Sequence, residues 1–150
     1  MNKRGTIKAV CTSTRKGTRK SAVPRAVLVE DYGIRDDVHA GARIRQVSLL
    51  CVSSINTMRE KGADVGPGDF AENLTIDGLV PDDFHSGDTI RLEKGPVLEV
   101  SQIGKQCHSG CEIARQVGDC VMPREGIFAV VKKGGQVMPG DRIEVDNDEE

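Results

Sequence analysis

Apolar and polar positions along this chain alternate in short runs, which is the pattern of β-strands rather than of long helices. In residues 5–11 the alternation places Ile7, Ala9 and Cys11 on one side of a strand. Gly, Pro, Asn and Asp separate the runs, as expected for turns. The predicted strands span residues 5–11, 25–29, 45–52, 74–76, 89–92, 97–103, 127–132 and 142–145.

Helical spacing of apolar residues occurs in two short segments. Residues 53–61 begin with a Ser that is expected to cap the helix, and end before Gly62. Residues 109–117 end before Gly118 in the same way. Because helices do not alternate with the strands, a βαβ fold is not expected. We predict a mainly β fold, a closed or nearly closed β-barrel with two or three short helices.

The length of 150 residues is typical of one domain. We assign residues 1–145 to this domain and expect 146–150, which are rich in Asp and Glu, to form an acidic disordered tail. Aromatic residues make up 3% of the chain, so the core has to be aliphatic. The 17 glycines favour a fold with many turns.

The net charge of −2 argues against nucleic-acid binding, which requires clustered basic residues. No segment reaches the roughly 20 apolar residues of a membrane span, and no signal sequence precedes the first strand. We therefore expect a cytoplasmic protein, in which five cysteines stay reduced. The basic run 15–20 is expected to be either a solvated loop or an anion-binding loop.

Cys107 is the strongest candidate for a reactive residue. It lies between a predicted strand and the predicted helix 109–117, in a polar, glycine-rich segment. The positive end of a helix dipole, together with Lys105 and His108, would stabilise its thiolate. Such a cysteine serves as a nucleophile, a sulfur carrier or a soft metal ligand, and the alternative is a small apolar core residue.

A zinc site is a second interpretation of this segment. Cys107, Cys111 and Cys120, with His108, have the ligand types of a Cys3His site. The paired Cys-x2-Cys spacing of zinc knuckles is missing, which argues against it. Cys11 and Cys51 lie in apolar strands and are expected in the core.

Three further clusters of polar residues are candidates for binding an anion or orienting a ligand. His39 lies close to Arg43 and Arg45, whose guanidinium groups can bind phosphate or an oxyanion. Glu72 and Asn73 precede a strand and can either orient a ligand or hold a turn. Arg124 is a possible anion contact or the ion-pair partner of Glu125.

Nearly the whole chain resembles the MOSC domain, named for the C-terminal domain of molybdenum-cofactor sulfurases. The matching segments include 33–41, 45–50 and PGDFAENL at 67–74, in the expected order. Cys107 falls where the family carries its characteristic cysteine. Gln106 stands where many members have Pro, and Cys111 and Cys120 are extra, which makes a thiol pair or a metal site possible. Other matches are 5–10, Gly87 with Asp88, 126–129 and 140–143.

The resemblance implies a β-rich barrel that binds the molybdenum cofactor (molybdopterin) or a molybdenum oxyanion and carries sulfur on a cysteine. Pyridoxal phosphate would belong to a partner cysteine desulfurase, because this chain is too short to contain that domain. The sulfur acceptor would be a molybdoenzyme or a cofactor-biosynthesis protein.

In this hypothesis Cys107 takes up the sulfur as a persulfide and Lys105 helps to ionise it. Arg43, Arg45 and Arg124 bind the phosphate or oxyanion, while His39, Glu72 and Asn73 orient it. The alternatives are a cofactor chaperone without sulfur chemistry, a zinc-stabilised domain and, by family analogy only, a reductase for N-hydroxylated compounds.

Overall fold

The structure is a computed structural model that describes residues 2–15, 19–104 and 125–146. The α-helix α1, Val52–Glu60, directly follows β5, and a 3₁₀ turn spans Pro81–Asp83. The strands are β1 Asn2–Thr12, β2 Ser21–Ala22, β3 Ala26–Val29, β4 Gly33–Ile34, β5 Val47–Cys51, β6 Leu74–Asp77, β7 Thr89–Leu92, β8 Val97–Ile103, β9 Ile127–Lys133, β10 Gly135–Val137 and β11 Arg142–Asp146.

Seven strands form a closed barrel, in the order β11-β7-β8-β9-β5-β6-β1. Antiparallel pairing of β1 with β11, from Asn2 opposite Asp146 to Thr6 opposite Arg142, closes it. Within residues 2–15, 19–104 and 125–146, this closure pairs both edge strands of the seven-stranded sheet. β5 and β6 pair in parallel and are connected through α1, because parallel neighbours need a crossover. The predicted mainly β barrel is confirmed.

Strand β5 is buried on both faces, which explains its uninterrupted apolar run. Val47, Leu49 and Cys51 belong to the main core inside the barrel. Leu50 belongs to a second core with Phe128 of β9. The second core also contains Ile55, Met58, Ala63, Val65 and Phe70. Helix α1 and the chain that follows it are therefore held against the outside of the barrel by apolar contacts.

A β-bulge in β1 changes the predicted direction of its side chains. The register against β6 shifts between Ile7 and Ala9. After the shift Val10 joins Ile7 in the main core, whereas Ala9 and Cys11 are buried outside that cluster. The prediction that Ile7, Ala9 and Cys11 share one face was therefore wrong, because the extra residue of a bulge reverses the alternation.

The helix predicted at 53–61 is present one residue earlier, and Ser53 does not cap it. Its N-cap residue is Cys51, which makes no side-chain capping bond. The second predicted helix, 109–117, lies outside the described residues. Asp146, the first residue of the predicted acidic tail, is the last residue of β11, and the rest of that tail is also outside. The described helices are too short or too polar to cross a lipid bilayer.

Two described residues hold together the ends of the segment 105–124. The Gly104 N–H donates a hydrogen bond to the Gly126 carbonyl oxygen at 2.7 Å. Next to them, Ile103 of β8 pairs with Ile127 of β9. The stretch that carries Cys107 therefore starts and finishes at one point of the barrel wall.

Candidate functional site

Lys20 is buried in a cluster of polar side chains beyond the end of β1. Its side chain has no solvent exposure. Its Nζ atom lies 2.9 Å from Asp37 Oδ1, 3.0 Å from His39 Nδ1 and 3.2 Å from Ser13 Oγ. Lys20 belongs to the basic run 15–20, for which a solvated loop was one prediction. That prediction was wrong for Lys20, because its partners replace the water that a buried ammonium group loses.

Asp37 is the counterion of Lys20 and organises the chain around it. Its Oδ1 accepts the Ser13 N–H at 3.0 Å, and its Oδ2 accepts the His39 N–H at 3.1 Å. Burial raises the pKa of Asp37, but the hydrogen bonds from Lys20, Ser13 and His39 outweigh it and lower the pKa. The carboxylate therefore stays ionised at neutral pH and joins three separate points of the chain.

The tautomer of His39 follows from its contact with Lys20. An ammonium group has only donors, so Nδ1 at 3.0 Å from Nζ has to accept the hydrogen bond and cannot carry a proton. In the neutral ring the proton then sits on Nε2. The 3.8 Å distance from Nδ1 to Asp37 Oδ2 is too long for a competing bond. His39, with 36% of its side chain exposed, lies at the edge of the buried ion pair.

Glu72 is fully buried and holds the turn before β6. Its Oε2 accepts bonds from the Gly68 N–H at 2.8 Å and the Thr75 hydroxyl at 2.9 Å, and its Oε1 accepts the Phe70 N–H at 3.2 Å. Burial raises the pKa of this carboxyl, and these hydrogen bonds oppose that rise. Of the two predicted roles, the geometry matches the turn-holding one.

Asn73 is also fully buried, and its amide connects β1 with β5 across the start of β6. Its Nδ2 donates to the Cys11 carbonyl at 3.0 Å. Its Oδ1 accepts the Ser48 N–H at 3.0 Å and the Ser48 hydroxyl at 3.2 Å. Contact of Asn73 or Glu72 with a ligand stays a prediction.

The two arginines that follow His39 in the sequence, Arg43 and Arg45, are exposed. The Arg45 guanidinium carbon lies 5.9 Å from the centre of the Phe128 ring, a cation–π distance that orients the group. Arg43 lies on the same exposed stretch. Cys107, Lys105, Arg124, Cys111 and Cys120 lie outside the described residues, so their predicted roles stay predictions.

The described cysteines are buried thiols of low reactivity. Burial raises the pKa of Cys11 to about 11, with Glu72 and Asp69 adding to the rise and Lys20 opposing it. Burial also raises the pKa of Cys51 to about 12. Both were expected in the core, and both are buried. Within the described ranges, no three His, Cys, Asp or Glu residues are grouped as metal ligands, and the predicted cysteine ligands lie outside them.

The sequence did not predict that Lys20, Asp37 and Ser13 would contact one another. Lys20 stood in a basic run and Asp37 in an Asp-rich loop, 17 positions apart. The sequence contains only a weak signal for this contact. The segments that contain Lys20 and Asp37 both flank short β-type runs, and the Asp37 segment also contains His39. Nothing in the spacing showed that the two would meet in the interior.

Solved structures with this fold come from several bacterial proteins. The YuaD protein from Bacillus subtilis superposes with a TM-score of 0.83 at 18% identity, covering 99% of both chains. YiiM from Escherichia coli gives 0.70 at 21% identity, over 97% of this chain and 71% of that one. YiiM from Geobacillus stearothermophilus gives 0.65 at 18% identity, over 98% and 76%. At these identities the likeness establishes the fold alone.

Sequence comparison identifies the family. A search of curated proteins gave no significant match. The family model of the MOSC domain matches residues 36–144, which is most of the chain and includes Asp37, His39 and the turn held by Glu72. The chain belongs to the MOSC domain family, which is associated with molybdenum-cofactor sulfurases.

Proposed function

We propose that this chain binds the molybdenum cofactor, or a molybdenum oxyanion, and carries sulfur on Cys107 during cofactor maturation. The observation that supports this most is the cluster of Lys20, Asp37 and His39. It places the buried Lys20–Asp37 ion pair next to the partly exposed imidazole ring of His39. This arrangement is suited to an oxyanion or a phosphate.

The donors of the described residues fit the chemistry of this cofactor. Its phosphate and metal-bound oxygens are hydrogen-bond acceptors with negative charge. His39 Nε2, Arg43 and Arg45 would bind them, and Lys105 and Arg124 would add further positive charge. Lys20 would act from the interior through its contact with His39 Nδ1. When bound, the cofactor would supply the metal that is the final destination of the sulfur.

Cys107 would acquire its sulfur by thiol exchange with a cysteine desulfurase. Its thiolate attacks the outer sulfur of the persulfide on the desulfurase. The S–S bond of the donor breaks, its cysteine leaves as a thiolate, and a new S–S bond forms on Cys107. No net oxidation is needed, because the transferred sulfur keeps its oxidation state. Lys105, two positions earlier, would favour the thiolate.

The register of the barrel supports a shared site for Cys107 and Lys20. In adjacent strands Ile127 pairs with Leu49, Leu49 with Leu74, and Leu74 with Val10. Three strand spacings of about 4.8 Å bring Ile127 within roughly 14 Å of Val10. Segment 105–124 is attached next to Ile127, and Ser13 lies three positions after Val10, just beyond the end of β1. The segment is long enough to bridge this distance.

The decisive experiment is persulfide loading followed by mass spectrometry of the intact chain. A cysteine desulfurase with its pyridoxal phosphate and free cysteine serves as the donor. The wild type and Cys111→Ser are expected to gain one sulfur atom, whereas Cys107→Ser is expected to gain none. Equal loading of Cys107→Ser and the wild type would refute the carrier function.

A cofactor chaperone without sulfur chemistry is the second candidate. It is favoured by the fact that the contacts among Lys20, Asp37 and His39 involve no cysteine. In that case Cys107→Ser would bind molybdate as tightly as the wild type, and no persulfide would form on either. Elemental analysis of the same samples tests the zinc alternative, which requires one zinc per chain.

A further inference from the structure

The position of Lys20 depends on a contact with the turn before β6. The Lys20 main-chain N–H donates to the Gly68 carbonyl oxygen at 2.8 Å. On its other side lies β2, whose pairing with β1 comprises two residue pairs. A strand this short gives little support, so the bond to Gly68 has a large part in fixing the Lys20 backbone.

Gly68 lies against Lys20 so closely that a side chain has no room there. Its φ is +87°, in the left-handed region that favours glycine. A Cβ atom added at Gly68 would overlap the Lys20 carbonyl oxygen and approach Cys11 Sγ to 3.0 Å. A displacement of Gly68 would therefore be expected to move the Lys20 main chain, from which the ammonium group extends.

Glu72 holds Gly68 in this place. Its carboxylate accepts the Gly68 N–H at 2.8 Å and the hydroxyl of Thr75, a residue of β6, at 2.9 Å. The turn that contacts Lys20 is thereby tied to the barrel wall. The Glu72 carboxyl group is fully buried, and its described hydrogen bonds come from two main-chain N–H groups and one hydroxyl, all within residues 68–75.

We infer that Glu72 is a positioning residue, which sets the Lys20–His39 contact through Gly68 without itself touching a ligand. Its carboxylate fixes Gly68, Gly68 fixes the Lys20 backbone, and Lys20 Nζ then reaches His39 Nδ1 at 3.0 Å. The consequence is the Nε2–H tautomer of His39. The value of this tautomer for ligand binding rests on the proposed function, but the positioning itself does not.

The test is the ¹⁵N spectrum of the His39 ring in ligand-free, full-length protein, which reports the tautomer directly. The wild type is expected to show a neutral ring with the proton on Nε2. Glu72→Gln is expected to shift both ring nitrogens toward a mixture of tautomers. Thr75→Val is expected to give a smaller change in the same direction. Because Thr75→Val leaves the Glu72 side chain in place, it separates the positioning of Gly68 from the loss of the carboxyl group itself.

Asp141→Asn is the control. Asp141 is also a buried acidic residue that holds a turn, accepting the Met138 N–H at 3.0 Å, but this turn lies between β10 and β11 and Asp141 is ion-paired with Lys94. The inference predicts an unchanged His39 spectrum in this variant. It is overturned if Glu72→Gln leaves the spectrum unchanged, or if Asp141→Asn changes it equally. If Glu72→Gln does not fold, Thr75→Val takes its place: an unchanged His39 spectrum in Thr75→Val then overturns the inference.

Molybdate binding to the same proteins separates this inference from the proposed function. If the wild type binds molybdate, Glu72→Gln is expected to weaken the affinity about tenfold, and Asp141→Asn to leave it unchanged. If the wild type does not bind molybdate, the result contradicts the proposed binding of the cofactor or oxyanion. The His39 spectra still test whether Glu72 positions Lys20. Equal molybdate affinity of Glu72→Gln and the wild type would show that positioning does not matter for binding.

Discussion

The Lys20 ammonium nitrogen lies 2.9 Å from Asp37 Oδ1, and neither side chain is exposed to solvent. This ion pair joins the chain before β2 to the loop after β4. Each charge has lost its hydration and depends on the other, so the pair is sensitive to the removal of either member.

Breaking the ion pair is expected to destabilise the domain strongly. Asp37→Asn leaves the Lys20 ammonium buried without a countercharge and should lower the free energy of unfolding by about 3–5 kcal/mol. Lys20→Met leaves the Asp37 carboxylate in the same situation. The double variant should lose much less than the sum of the two, because no buried charge remains. Urea denaturation measures all three, and additive losses would contradict the importance of the pair.

The stability of the domain should depend on pH in two separate windows. The pKa of Asp37 is lowered from 3.8, so its contribution is present above that pH and is lost as the pH falls through the folded-state value. The pKa of Glu72 is raised from 4.5, so its ionisation costs stability as the pH rises above 4.5. Urea denaturation at a series of pH values should show both slopes.

Two variants test which residue causes each pH-dependent change in the free energy of unfolding. Asp37→Asn should flatten the profile below pH 3.8. Glu72→Gln should flatten it above pH 4.5. If the free energy of unfolding of either variant depends on pH in its window as steeply as that of the wild type, the slope does not come from that residue.

Cys11 and Cys51 should resist alkylation in the folded protein. With pKa values of about 11 and about 12, almost no thiolate is present at pH 8. Peptide mapping after a short exposure to iodoacetamide should find both unmodified. The same treatment in urea is the control, and there both should react fully. Modification of either cysteine at the unfolded rate without urea would show that burial does not protect it.

Ala71→Gly is expected to stabilise the turn that Glu72 holds. Ala71 has a φ of +64°, where a Cβ atom costs roughly 1–2 kcal/mol. Glycine removes this strain and adds some chain entropy to the unfolded state, so the net gain is about 0.5–1 kcal/mol. Ala129→Gly, in the interior of β9, is the control and should destabilise. A loss of stability in Ala71→Gly would mean that the methyl group makes contacts that outweigh the strain.

Much of the barrel could be predicted from the sequence, because long strands carry a strong local pattern. The bounds predicted for β7 and β8 are those of the structure, and those of β9 and β11 differ by one residue. Strands β2, β4 and β10 were missed, since two or three residues contain no periodicity. The existence of β10 also depends on a partner distant in the sequence, since Gln136 pairs with Val27 of β3.

The candidate site was predictable only in part. His39 was identified because a histidine with arginine neighbours can bind an anion, and Glu72 because a Glu-Asn pair before a strand can orient a ligand or hold a turn. Lys20 was not identified, because basic runs are normally solvated and its burial results from a tertiary contact with Asp37. The turn-holding geometry of Glu72 likewise depends on Thr75 in the barrel wall.

A molybdate titration with two simultaneous readouts tests most directly whether Cys107 and the Lys20–Asp37–His39 cluster form one site. The first readout is the rate at which iodoacetamide modifies Cys107, and the second is the ¹⁵N signal of the His39 ring. A single site predicts that molybdate slows the alkylation and shifts the His39 signal with the same Kd. A His39 shift without protection of Cys107, or two different Kd values, would contradict the account.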